Sequence, residues 1–340
     1  CTMLEELTLE DNRIMKLENL TPLTKLTKLD LGKNKISRVE GLDALTHLTQ
    51  LSLEENEITS LGGLGKLVSL MEIYIGNNRL SVLKEVQQLK PLPKLIILDL
   101  SGNPLCDGAD YRNYTIYQLR KLKVLDGVGI ESGEQNLAKE KCATGRVSDA
   151  GRLAHAQPHT THPAPSSLSR YAGKLTTDAL VEKIGHNFWE HVRELDLSRS
   201  KIRELEGLRA QDFCNLRELI LDGNLLPTCH TVPRLPALTL LRLNHNQITS
   251  TPPPREAGDT LNGHGPRGLG QLSTLEVLQL GFNQITELPP LHLSGLQALR
   301  VLHLQGNEIA RVDGLQHLHE LRELVLDRNK IKALDAHSLA

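Results

Sequence analysis

The sequence predicts an α/β solenoid, with parallel β-strands on a concave face and 3₁₀ or short-helix return arms behind them. Three observations predict it. The frame LxxLxLxxNxI recurs along the chain, as in "LTKLDLGKNKI" from Leu26 to Ile36. Apolar residues follow each asparagine at every third position. Aromatic residues make up only 3% of 340 residues while 39% are hydrophobic, so leucine has to fill the core.

In the first array the frame is carried by Asn12, Asn34, Asn56, Asn78 and Asn103, the first four of them 22 residues apart. A fixed period of this size marks a stack of coils, none of which can bury its own apolar face alone. Within each coil, the alternation in Leu29-Asp30-Leu31 is that of a half-buried strand. Ile36, Val39, Leu42, Leu45 and Leu48 then recur in threes. That spacing drifts around an α-helix but stays on one face of a three-residue-per-turn path. The asparagine amide both donates and accepts, so it can satisfy turn groups shut off from water. Its expected role is structural.

The frame breaks at "NPLCDGADYRNYTIYQLRKLKVLDG", from Asn103 to Gly127. A stack must cover its last leucine layer. Tyr111, Tyr114, Ile116, Leu119, Leu122 and Leu125 are expected to do so, with Arg112, Arg120 and Lys121 in solvent. The first array with its cap therefore spans residues 1–130. Residues 131–190 form a linker. It opens with a helix for which Ser132 and Gln135 offer a capping-box pattern. A Pro-, Ser- and His-rich stretch at about 142–170 reads as a disordered insertion. His155, His159 and His162 lie in it without cysteines or carboxylates in a folded frame, so no metal site is expected. A capping helix at about 177–190 follows, N-capped by Thr177 or Asp178, with Leu180, Ile184 and Phe188 on one side.

The second array, residues 191–340, is carried by Asn224, Asn246, Asn283, Asn307 and Asn329, with Ser200 in place of the asparagine in its first coil. A Pro/Gly-rich loop at about 251–268 should bulge from one coil. The chain starts at Cys1 inside a repeat and stops at "ALDAHSLA" within a coil. It therefore reads as a fragment whose last leucines stand exposed.

With these motifs the chain resembles the intracellular leucine-rich-repeat class of 22-residue period, which includes phosphatase-regulator and spliceosomal proteins. The "NPLC…YR…LDG" stretch resembles the C-terminal cap of that class. The second array resembles those of long intracellular proteins built from several such arrays. The resemblance implies a binding scaffold, with a phosphatase regulatory subunit or a ribonucleoprotein assembly factor as alternatives. It implies a cytoplasmic setting and leaves ciliary, axonemal or nuclear ones open.

A net charge of −2 gives no general attraction to nucleic acid or acidic membranes, so neither is expected as a direct partner. The five cysteines are scattered, without a disulfide or zinc pattern, and are expected as reduced thiols. No phosphate loop, nucleophile elbow or HExxH motif occurs, so neither catalysis nor a cofactor is expected. Function should lie in the strand residues that point away from the core. In the first array these include Glu10, Asp30, Glu54, Glu72, Tyr74 and Asp99, an acidic set suited to a basic protein partner, with Tyr74 as its anchor. In the second they include Ile220, Arg242, Val277, Val301, His303 and Val325; of these Ile220, Val277, Val301 and Val325 are expected to form an apolar stripe in adjacent rows with Leu240, with Phe282 at its rim and His303 as a contact.

Overall fold

The computed structural model describes residues 2–108, 110–143, 173–185, 187–250 and 269–334. The histidines His155, His159 and His162, the loop 251–268 and residues 144–170 of the expected insertion lie outside them.

Each leucine frame folds into one coil with a three-residue strand. In the first half these are β1 (Glu6–Thr8), β2 (Lys28–Asp30), β3 (Gln50–Ser52), β4 (Glu72–Tyr74) and β5 (Ile97–Asp99). The short β6 (Val124–Leu125) and β7 (Val128–Gly129) close that end as an antiparallel pair. The second half supplies β8 (Glu194–Asp196), β9 (Glu218–Ile220), β10 (Leu240–Arg242), β11 (Val277–Gln279), β12 (Val301–His303) and β13 (Glu323–Val325). The strand centre is a buried leucine or isoleucine, and its flanks point away from the core. Behind the strands the three-residue spacing is realised as stacked tight turns, with Leu23 N–H donating to Leu20 O and Leu26 N–H to Leu23 O, each at 3.0 Å. Some arms tighten into 3₁₀ segments such as Leu64–Lys66 and Leu83–Leu89. Ile14, Leu17, Leu20, Leu23 and Leu26 are all buried, as the spacing predicts.

Each internal asparagine ties the turns of two successive coils together. Asn56 donates through Nδ2 to Leu53 O (3.1 Å) in its own coil and to Leu31 O (2.9 Å) in the coil before. Its Oδ1 accepts from Ile36 N–H at 3.0 Å, also in the coil before. The residue preceding the asparagine takes a left-handed conformation, whether Lys33, Glu55, His245 or Arg328. Ser200 occupies the first coil of the second half, where no coil lies in front to be served. Its hydroxyl needs only to donate to Ser198 O, at 3.2 Å.

The strands form one sheet in the order β7-β6-β5-β4-β3-β2-β1-β13-β12-β11-β10-β9-β8. The last coil of the second half lies directly on the first coil of the first half, with Glu6, Leu7 and Thr8 in register with Glu323, Leu324 and Val325. The leucines expected to be exposed at the end of the second half are therefore covered: Leu321, Leu324, Leu326 and Ile331 are fully buried. An uncapped leucine layer is unstable in water, and here each of the two open layers satisfies the other.

Both outer ends are capped. At one end, helix α1 (Tyr111–Gln118) lays Tyr111 and Ile116 over the core, continued by Leu119, Leu122 and Leu125. Arg112, expected in solvent, is instead half-buried. It grips Glu134 of helix α2 (Ser132–Ala143) through Nε at 2.7 Å and Nη2 at 3.0 Å, and donates to Leu125 O and Gly129 O. The expected Ser132–Gln135 capping box gives way to Glu134, whose carboxylate accepts from Glu131 N–H at 3.2 Å. At the other end, helix α3 (Thr177–Ile184) buries Ala179 and Leu180. Its N-cap is Thr176, one residue earlier than expected, with Oγ1 accepting from Ala179 N–H at 3.3 Å. Gly185, at φ 84°, ends the helix in a left-handed turn, which leaves Phe188 outside it and exposed. Trp189 takes the inward place, its ring centroid 5.4 Å from that of buried Phe213.

Candidate protein-binding face

The concave surface is built by the flanks of the strands, and the parallel register sets which residues become neighbours. One row runs Glu194, Glu218, Leu240, Val277, Val301, Glu323, Glu6, Lys28, Gln50, Glu72, Ile97. The next runs Asp196, Ile220, Arg242, Gln279, His303, Val325, Thr8, Asp30, Ser52, Tyr74, Asp99. The turn after each strand adds a further set, among them Asp222, Asp327, Glu10 and Glu54.

The expected apolar stripe is shorter than the sequence suggested. Leu240, Val277 and Val301 are contiguous and half-buried in the first row. Ile220 and Val325 lie in the second row, apart from each other, Ile220 beside Arg242 and Val325 beside His303. The second row there is polar. The Arg242 guanidinium pairs with Asp222 at 2.5 Å, and His303 Nε2 lies 2.8 Å from a Glu323 oxygen. Phe282 does sit at the rim, stacked on the His245 ring at 4.5 Å between centroids and 2° between planes.

The acidic set is brought together, and the closure of the sheet extends it. Asp327, from the last coil, accepts from Glu10 N–H at 2.8 Å, so carboxylates far apart in sequence become neighbours. Some acids are neutralised in place. Lys28 pairs with Glu6 at 2.9 Å and Lys33 with Glu10 at 2.7 Å, and both lysines are held above their usual pKa, chiefly by these hydrogen bonds. Asp30 and Asp99 accept from the N–H groups of Gly32 and Ser101. Glu54 sits among them, and its carboxyl is pushed above the usual range, first by burial and then by the charges of Asp99 and Asp30. Burial likewise raises Asp327, with Asp30 and Glu10 adding to it. This stretch thus holds more negative charge than its own side chains balance.

Tyr74, expected to be exposed, is half-buried, and its hydroxyl donates to Glu72 at 2.9 Å. Burial and that contact push its pKa up to about 12, so it stays a neutral hydroxyl. Its ring remains available at the edge of the acidic stretch. Sequence reasoning missed the meeting of Asp327 with Glu10. One signal pointed to it. Asn12 has the full asparagine of an internal coil, whereas Ser200 has the reduced group of a terminal one.

Cys106, Cys214 and Cys229 are free thiols, and burial pushes Cys106 and Cys229 up to about 12, far from nucleophilic use. Among the described residues no group of three or more His, Cys, Asp or Glu side chains is placed to hold a metal ion.

A family model described as a leucine-rich repeat matches residues 2–153, and a second with the same description matches 273–331. Among solved structures, the Drosophila melanogaster SNF/U2A' complex contains a chain 28% identical, matched over 39% of this chain and 78% of that one, with a TM-score of 0.37. An internalin, InlF, from Listeria monocytogenes is 18% identical over 98% of this chain and 76% of its own, with a TM-score of 0.31. The Leptospira interrogans leucine-rich-repeat protein LIC12759 is 22% identical over 96% and 79%, with a TM-score of 0.35. The frame in the sequence, the coils it builds and the two family matches agree that this chain is a leucine-rich-repeat protein.

Proposed function

We propose that the protein is a non-catalytic interaction scaffold that binds a protein partner on its concave face. The observation that carries this is the under-neutralised stretch Asp327, Asp30, Glu54 and Asp99, with Glu54 and Asp327 held above their usual pKa by burial and by their neighbours. A partner with Lys or Arg side chains would relieve that repulsion. The ring of Tyr74 and the short run Leu240, Val277 and Val301 offer apolar contacts at two places along the same face. Free thiols at Cys106, Cys214 and Cys229 fit a reducing, cytoplasmic setting, which is part of the proposal together with the ciliary, axonemal and nuclear alternatives. So is the finer resemblance to the 22-residue phosphatase-regulator-like class, and to leucine-rich-repeat-containing protein nine. A phosphatase catalytic subunit and an RNA-binding protein are the two partners that this class suggests.

The test is capture of partners from cytosolic and ciliated-cell extracts, followed by titration of each purified partner. Two variants are compared with the wild type after circular dichroism confirms folding: Glu54→Lys with Tyr74→Ala, and Ile220→Asp with Val301→Asp. The first should weaken binding by about tenfold or more and reduce its salt dependence. Unchanged affinity in both variants would refute the concave face as the binding surface.

A further inference from the structure

We propose, building on the reading of the concave face as a binding surface, that a cradle above Gly76 seats the ammonium group of one lysine side chain of the protein partner. The cradle begins as a gap in the coils. The position two residues beyond each strand is filled by Gly32, Glu54, Gly76 and Ser101 in the coils of β2 to β5. Glu54 therefore stands between two glycines, and Gly76 between two side chains that carry oxygen. Neither glycine has a positive φ, so what each supplies is space.

The space at Gly76 is lined by oxygen. A methyl group placed there would lie 3.2 Å from Ser101 O, 3.3 Å from Ser101 Oγ and 3.5 Å from Glu54 Oε1. The parallel register sets Ser52, Tyr74 and Asp99 in a row alongside, two residues before Glu54, Gly76 and Ser101. Ser52 is only 9% exposed, yet among the described residues its hydroxyl has no hydrogen-bond partner. Buried polar groups are as a rule paired, so an unpaired hydroxyl beside carboxylates marks a place where a donor is missing. Among the described residues no hydrogen bond or ion pair reaches the Ser101 hydroxyl or the Glu54 carboxylate either. Asp30 and Asp99 are held still by the N–H groups of Gly32 and Ser101, and keep their charge beside it. The lysines of the β2 coil, Lys28 and Lys33, are already engaged by Glu6 and Glu10.

What is missing is a positive charge that carries several donors. An ammonium holds three, arranged as a tripod, and can reach oxygens on three sides at once. A guanidinium is planar and spreads its donors in a rigid fork. The coils on either side of Gly76 are only ~4.8 Å away, a width that favours the compact ion. The methylene stem of the lysine would lie along the Tyr74 ring, whose hydroxyl already donates to Glu72.

The experiment titrates Nα-acetyl-lysine amide into the full chain and follows the backbone amides of Ser52, Glu54, Gly76 and Ser101 by NMR. The norleucine and arginine analogues are titrated in parallel. The lysine probe should shift these amides saturably, the arginine probe should bind more weakly, and the norleucine probe should leave them in place. Glu54→Gln should weaken the lysine probe about tenfold, because a hydrogen bond to a charged group is lost. Gly76→Ala fills the cradle and leaves every charge in place, so it should abolish the saturable shifts. No saturable shift in the wild type, tighter or equal binding of the arginine probe, or undiminished binding by Gly76→Ala would each overturn the proposal. If Gly76→Ala does not fold, Ser101→Ala removes an oxygen without adding bulk and should weaken binding about threefold or more. Unchanged affinity in both Ser101→Ala and Glu54→Gln overturns the proposal as well. Its failure is separable from that of the concave face. A captured partner that is weakened by Glu54→Lys with Tyr74→Ala, yet binds Gly76→Ala like the wild type, would keep the face and reject the lysine seat.

Discussion

Asn56 makes four contacts that water cannot replace: Nδ2 to Leu31 O, Leu53 O and Glu54 O, and Oδ1 from Ile36 N–H. An Asn56→Ala substitution orphans groups on two coils. Unsatisfied buried groups cost about 1–3 kcal/mol each, with partial relaxation, so a loss of about 2–4 kcal/mol is expected in chemical denaturation. Ser200→Ala, at the terminal coil, should lose about 1 kcal/mol or less by the same measurement, because its hydroxyl serves only its own turn. Glu54 makes the opposite prediction. Its folded pKa is raised, so the folded chain binds a proton more readily than the unfolded chain. Its charge therefore opposes folding as pH rises through the folded pKa, and the penalty is absent below the unfolded value. Glu54→Gln should raise the melting temperature slightly at pH 7. The gain should vanish below about pH 4, where wild-type Glu54 is protonated in both states.

The strands of the repeat were legible because each is a three-residue alternation with an asparagine, or Ser200 after β8, four residues beyond it. The return arms were legible because the three-residue spacing excludes an α-helix. The caps were legible as apolar segments but not in their polar detail. Arg112 read as a surface cation, yet the α1–α2 corner places Glu134 and two carbonyls around it. The Glu134 carboxyl is held below its usual range, first by its hydrogen bond from Arg112. That contribution is present above the unfolded carboxylate pKa and is lost as pH falls through the folded one. Arg112→Ala should thus release α2. Faster amide hydrogen exchange is expected at 134–139, with the coils of β1 to β4 unchanged. In the same corner, buried Tyr111 donates to Asp126, which also accepts from Leu100 N–H at 2.8 Å. Tyr111→Phe should cost about 1–2 kcal/mol in denaturant unfolding, since a half-buried carboxylate loses a donor.

The closed stack makes its own prediction about the seam. If β13 and β1 form an internal step, Leu324→Ala should destabilise as much as Leu51→Ala in the middle of the first half, about 2–5 kcal/mol for each. An open end would give a far smaller loss at Leu324 than at Leu51. The candidate face follows the same division. Glu10, Asp30, Glu54, Tyr74 and Asp99 could be placed on the concave side from the frame alone, because period two fixes which strand residues point outward. The company they keep could not. Whether Val277 and Val301 adjoin, whether Ile220 joins them, and that Asp327 lies against Glu10 depend on register and on the order of the coils. Coil geometry, buried leucines, asparagine roles and outward residues follow from local periodicity, which repeats strongly enough to survive any arrangement of the halves. The order of the stack does not, because every coil presents nearly the same leucine layer and any two open layers can pair. The packing chose the pairing that leaves neither layer in water, and so made two runs of repeats into one face.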